Sequence, residues 1–120
     1  MLTSLDNRDL VDLCIDEESS EYVKKLSLLG LKSGLDGVVS SVSELKVLKQ
    51  AMPENFIFVT PGINFKMQNK DQKRTSNPGE AIKSGSSILI IGRTITMSSD
   101  PLKVLMEINQ EITKNNVSSN

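Results

Sequence analysis

Ile88-Leu89-Ile90-Ile91 is a short, uninterrupted apolar run that delivers Gly92-Arg93 at its carboxyl end. Glycine lets a ligand approach the main chain closely, because no side chain intervenes. Arginine is always charged, and its planar fork matches phosphate oxygens. A guanidinium whose base emerges from a buried strand is rigidly placed, so the pair has the makings of an anion clamp. A second polar motif, Thr60-Pro61-Gly62, closes the apolar run that starts at Phe56, and Asp71-Gln72-Lys73-Arg74 follows in the polar segment between the two runs. The Gln72 amide can donate two hydrogen bonds while Arg93 supplies charge. Together they can grip a phosphate without a glycine-rich Walker loop, which the chain lacks. A lone Gly-Arg is more often a surface arginine lying along apolar neighbours; it is the set of motifs that argues for a phosphate.

Other chemistry is excluded by composition. The chain of 120 residues contains no histidine and one cysteine, Cys14. Cys-His and Ser-His nucleophiles cannot be built, nor can zinc sites made from histidines or paired cysteines. Cys14 lies between Leu13 and Ile15 and reads as a small buried apolar residue. A single cysteine cannot form an internal disulfide, so a reducing, cytoplasmic setting is expected. The net charge of -1 and 3% aromatic content provide no basic, aromatic-studded surface for nucleic acid. No run approaches the roughly 18 apolar residues of a membrane helix, and the start lacks the basic-then-apolar pattern of a signal peptide. Asp6, Asp9, Asp12, Asp16, Glu17 and Glu18 read as a solvated acidic face rather than paired catalytic acids, and Met52, Met67, Met97 and Met106 as packing.

The elements that would hold these residues alternate. Tyr22, Val23, Leu26 and Leu29 recur at helical spacing, with Ser19 or Ser20 as the cap. Gly37–Ser41 is β-branched and reads as a strand. Ser41-x-x-Glu44 has capping-box spacing and opens a helix with Val42, Leu45 and Leu48 inward, stopped at Pro53. Phe56–Thr60 is apolar on successive residues, so both of its faces should be covered. Asn77-Pro78-Gly79-Glu80 reads as the start of a short helix that Gly85 ends. The run Ser87–Ile91 is a third buried strand. Asp100-Pro101 starts a last helix with Leu102, Leu105, Ile108 and Ile112 inward. Strand–helix alternation at this pace means a parallel sheet with crossover helices. Ligands of such sheets gather at the carboxyl ends of the strands, where Ser40-Ser41, Thr60-Pro61-Gly62 and Gly92-Arg93 all fall. Only three full strands are visible, against eight in a closed barrel. Two open edges invite pairing with another chain.

These motifs carry a resemblance. Leu2-Thr3-Ser4, Leu10–Leu13, Gly34–Ser41, Thr60–Ile63, Asp71–Arg74, Glu80–Ile82, Gly92–Thr96 and Asp100-Pro101 match, in order and with nearly the same spacing, the C-terminal half of the orotidine 5'-phosphate decarboxylase family. The resemblance runs from Leu2 to the last helix. It implies an α/β fold forming the C-terminal part of a (β/α)8 TIM barrel, with three to four parallel strands over residues 1–114 and a polar tail over residues 115–120. It implies decarboxylation of orotidine 5'-phosphate (OMP) to UMP in pyrimidine biosynthesis, by a homodimer that needs no metal or organic cofactor. Thr3, at the end of the fifth strand, would contact the pyrimidine, and Pro61 and Gly62 would border it from the seventh. Gln72 would reach over the phosphate in a mobile loop, and Gly92 and Arg93 would bind the phosphate from the eighth strand.

The match also has gaps. The family's catalytic Asp-x-Lys-x-x-Asp motif, with its companion lysine and aspartate, is absent; Asp71-Gln72-Lys73 is followed by Ser76 where the second aspartate would stand. Asn64 replaces the arginine usual after Thr-Pro-Gly-Ile in bacterial members, and Thr94 replaces a proline, a change expected to cost only backbone stiffness. Met1 would fall at the end of strand five, as in a split or truncated gene. The expectation is a chain that binds nucleotide monophosphate but does not decarboxylate alone. It would either work with a complementary N-terminal chain or persist as a non-catalytic phosphate-binding module that self-associates. A different phosphate-binding barrel, such as a hexulose-phosphate synthase, fits Asp71–Arg74 and Gly92–Thr96 less well.

Overall fold

A computed structural model describes residues 6–65 and 76–117, with side chains through Lys114. Helix α1 (Asn7–Asp12) is started by Asp6, whose carboxylate accepts from the Arg8 and Asp9 amides, while Asp9 bonds back to the Asp6 amide at 2.6 Å. Two of the acidic residues are therefore helix caps. The helix closes with the Ile15 amide on the Leu10 carbonyl, and Cys14 between them takes a left-handed φ of 60°. That geometry turns its side chain outward, so Cys14 is exposed rather than buried.

Helix α2 (Ser19–Lys32) begins one residue earlier than a serine cap would require. Glu18 occupies the cap position without a side-chain bond, and the Ser19 amide is met by Asn7 Oδ1 at 2.9 Å. Its buried line is Val23 and Ser27, whereas the expected inner residues Leu26 and Leu29 are 43% and 62% exposed. Strand β1 (Gly37–Val39) leads to helix α3 (Val42–Ala51), which opens with the expected capping box: Ser41 and Glu44 each bond the other's main chain. Strand β2 (Ile57–Thr60) follows. Helix α4 (Pro78–Lys83) starts as expected, with Asn77 Oδ1 accepting from the Glu80 amide at 2.8 Å, and Gly85 at φ 102° ends it. Strand β3 (Ile88–Leu89), helix α5 (Arg93–Thr96) and helix α6 (Pro101–Val117) complete the order. Asp100 caps α6 through the Lys103 amide at 3.1 Å, and the helix continues past Asn115, through the first residues of the expected tail.

The sheet is parallel, in the order β1-β2-β3, with Val39 beside Val59 and Val59 beside Ile88. Helices α3 and α4 are the crossovers, as strand–helix alternation requires. One face of the sheet is covered. Phe58 meets Leu45, Leu48, Val23, Met52 and Phe56 there, and the Phe56 and Phe58 rings stand edge-on at 5.7 Å. Leu45 and Leu48 are wholly buried, each worth about 1.5–3 kcal/mol of transfer free energy. Below the helices, Ser86 Oγ donates to Thr60 Oγ1 at 2.7 Å and so satisfies a hydroxyl in the covered layer.

The other face is open, which corrects the expectation that both faces of the apolar strands are covered. Val39, Ile57, Ile88 and Ile90 are 50%, 40%, 49% and 50% exposed. On α6 only Ile108 of the expected inner line is fully buried, and Leu102 and Leu105 face outward. Met52 packs in the core as expected, Met97 and Met106 are exposed, and Met67 lies outside the described residues. The reason is common to all of these: the apolar pattern is written for neighbours that these residues do not meet within the described chain. Among the described residues, no helix is long and apolar enough to cross a membrane.

Candidate functional site

The carboxyl ends of β2 and β3 frame a cleft of about 210 Å³ lined by Pro61, Gly62, Ile63, Asn64, Ile90, Gly92 and Arg93. Adjacent parallel strands bring their ends together, so Pro61-Gly62 and Gly92-Arg93 meet although thirty residues separate them in the chain. Gly62 has a φ of 75°, a conformation that side chains resist, and it turns the chain sharply across the end of β2. Immediately beyond, Ile63 bridges Ser76, with the Asn64 amide on the Ser76 carbonyl at 3.0 Å and the Ser76 amide on the Gly62 carbonyl at 3.1 Å. This clasp ties Ser76 to Gly62, Ile63 and Asn64 beside the cleft.

Gly92 contributes room. Its φ is -102°, so no left-handed geometry demands glycine, and a Cβ built there would meet nothing within 4 Å. The space above it is open to a ligand. Arg93, the first residue of α5, is exposed, and among the described residues that line the cleft it alone bears a formal charge. The cleft is thus cationic at one end and apolar, with Ile63, Ile90 and Pro61, elsewhere. Asn64 adds an uncharged amide. Among the described lining residues none is an acid, a lysine or a thiol, so these groups can bind an anion but offer no carboxyl, amine or thiol for proton transfer.

Of the six residues singled out from sequence, Pro61, Gly62, Gly92 and Arg93 come together in this cleft. Thr3 and Gln72 lie outside the described residues. Sequence reasoning missed Ile63 and Ile90 as lining residues; being apolar and adjacent to strands, they look like ordinary core. It also undervalued Thr94. That side chain is 2% exposed, and its Oγ1 finds no hydrogen-bond partner among the described residues. Replacing a proline there therefore buries a hydroxyl as well as loosening the backbone.

A larger hollow of about 540 Å³ is lined by Asp6, Asn7, Arg8, Ser19, Ser20, Ser43 and Glu44. Its polar atoms are largely occupied by helix caps. Asp6 caps α1, Asn7 bonds the Ser19 amide and Glu18, and Glu44 accepts from Ser41. Among the described residues, no three metal-ligating side chains converge. The smaller cleft is the better candidate, because its charge, glycine-opened space and strand-end position coincide.

Parallel strands joined by crossover helices, with an anion-suited cleft at their carboxyl ends, fit a portion of a (β/α)8 barrel. The family model described as "Orotidine 5'-phosphate decarboxylase / HUMPS family" matches residues 1–108. The chain belongs to that family. Orotidine 5'-phosphate decarboxylases of Coxiella burnetii and Nitrosomonas europaea are each 46% identical to it over 113 residues, which are 93% of this chain but 48% and 49% of theirs. The crystal structure of orotidine 5'-phosphate decarboxylase from Lactobacillus acidophilus superposes with a TM-score of 0.73 at 30% identity, over 93% of this chain and 46% of that one. The chain thus spans about half the length of the relatives it matches.

Proposed function

We propose that this chain supplies the phosphate- and pyrimidine-binding part of an orotidine 5'-phosphate decarboxylase and takes a pyrimidine nucleoside 5'-monophosphate, OMP or UMP, in the cleft at the ends of β2 and β3. The observation that carries the reading is Arg93, the one formal charge among the described lining residues, next in sequence to Gly92, where the space is open. A guanidinium in that position forms paired, charge-assisted bonds to phosphate oxygens. Pro61 and Gly62 would border the base, and the apolar walls would displace water from it. Gln72, carried by the segment clasped at Ile63 and Ser76, would close over the phosphate, and Thr3 would meet the pyrimidine.

Binding and turnover separate in this reading. Decarboxylation needs a proton for the C6 carbon as CO2 departs. In the family this comes from the Asp-x-Lys-x-x-Asp motif, which the 120 residues lack. Positioned acid–base groups supply a large part of such a rate, and binding groups do not replace them. The chain alone is therefore a nucleotide-binding module without decarboxylase turnover. Calorimetric titration with UMP tests this. Arg93→Ala should weaken UMP binding about tenfold or more, as loss of a charge-assisted hydrogen bond does, while leaving uridine, which has no phosphate, unaffected. Equal binding of UMP by both forms would sink the assignment.

A further inference from the structure

The described walls of the cleft at the ends of β2 and β3 supply little charge and enclose little volume. Arg93 brings one formal charge, and the other polar side chain among the described lining residues, Asn64, is neutral. Asn64 is held in place by its main chain. Its backbone amide meets the Ser76 carbonyl at 3.0 Å, it follows Ile63, which is 3% exposed, and it is itself half-buried. The side-chain amide thus reaches the cleft from a fixed point of the backbone. At neutral pH the phosphate of a monoester carries a charge of about -1.5 to -2, and one guanidinium balances one unit of it. The surplus would lie against Pro61, Ile63 and Ile90, where uncompensated charge is costly. A phosphate esterified on a second oxygen carries a single charge, which Arg93 balances alone. Space points the same way. The cleft measures about 210 Å³, below the roughly 300–1,000 Å³ of pockets that enclose most of a drug-sized ligand. Part of a nucleotide must therefore lie outside these walls. Gly92 is exposed, and a Cβ built there would meet nothing within 4 Å, so a second substituent on the phosphate has room beside Arg93.

We infer that this cleft takes nucleoside 5'-phosphodiesters as well as 5'-monophosphates, and that Asn64 is the residue that sets this breadth. The inference rests on the reading of the cleft as a nucleotide phosphate site and names the wider class of ligand that the site accepts. Arg93 forms its paired bonds to the two unesterified phosphate oxygens, which a diester retains. The Asn64 amide offers hydrogen bonds but no net charge, so it does not favour the second charge of a monoester. The extra substituent of a diester leaves through the space at Gly92. The charge at position 64 is the lever, because Coulomb energy follows the product of the charges. A cation there would attract a dianion about twice as strongly as a monoanion, and an acid would repel it about twice as strongly. The neutral amide does neither.

The test is calorimetric titration of the full chain, above the second phosphate pKa of about 6, with UMP, with the methyl ester of its phosphate and with uridine. UMP and the methyl ester should bind within about fivefold of each other, the span of a partly exposed charge, and both should bind more tightly than uridine. Asn64→Arg should move the ratio of the two affinities towards UMP by about twofold or more, and Asn64→Asp should move it towards the ester by a similar factor. Asn64→Ala, which changes no charge, should leave the ratio where it is. Each ratio compares two ligands on one protein, so a loss of folded fraction cancels from it. A preference of the unaltered chain for UMP beyond about fivefold, or ratios indifferent to the charge at position 64, would overturn the inference and leave the monophosphate reading standing. If neither phosphate ligand binds more tightly than uridine, the phosphate reading fails and takes this inference with it. The two failures are therefore distinguishable in one set of titrations.

Discussion

At the scale of single residues, two positions beside the cleft have opposite prospects. Asn64 brings an amide where a second charge would strengthen the hold on a dianionic phosphate. Asn64→Arg should tighten UMP binding several-fold, by about 1 kcal/mol for a partly exposed charge pair, and the gain should fade as salt rises. Titrations at low and high salt check both statements. Thr94 is a cost of a different kind. Its buried hydroxyl lacks a partner among the described residues, and an unsatisfied buried hydroxyl costs about 1–3 kcal/mol. Thr94→Val keeps the shape and removes the polar atom. Urea unfolding should show the variant more stable by about 1 kcal/mol, with its m-value unchanged.

Among the secondary-structure elements, the site depends on how closely β1 and β2 approach and on how firmly α3 is started. Gly37 lies against Ile57: a Cβ there would stand 2.3 Å from the Ile57 carbonyl oxygen, which is backbone and cannot step aside. Gly37→Ala should therefore force the strands apart and destabilise the chain by about 1–3 kcal/mol, as overpacking does, measured by thermal or urea unfolding. The α3 cap is also exacting. Ser41 and Glu44 are 2% exposed each and satisfy each other. Ser41→Ala should cost about 1 kcal/mol in the same assay. Neither substitution touches the cleft, so UMP affinity of the folded fraction should hold.

Across the whole molecule, the covered and open faces of one sheet differ in what they require. The covered face is complete, with Phe58, Leu45 and Leu48 fully enclosed by residues of this chain. The open face is apolar yet half-exposed, and stability must then depend on what binds it. Anything that binds only the folded form raises its apparent stability in proportion to the logarithm of its concentration. If another chain covers that face, the Tm should accordingly rise with the concentration of that chain, while UMP-site variants such as Arg93→Ala leave this dependence unchanged.

Much of this protein could be read from local pattern. The capping boxes at Ser41 and Asn77, the αL glycine after α4, the three parallel strands and the convergence of Pro61-Gly62 with Gly92-Arg93 all follow from short-range chemistry and the rule that ligands sit at strand ends. Tertiary structure decided the rest. Periodicity marks which side of a helix or strand is apolar, but it cannot say whether a neighbour is there to cover it, so Leu26, Leu29, Leu102 and Ile57 read as core and stand in the open. Cys14 reads as apolar filler, and only the left-handed turn closing α1 shows that it points to solvent. Thr94 reads as a slightly looser proline, and only its enclosure shows the stranded hydroxyl. Local sequence determines the conformations that a segment prefers, because propensity and capping act over a few residues. Burial and contact are properties of the assembled chain, because they depend on atoms brought from far along the sequence.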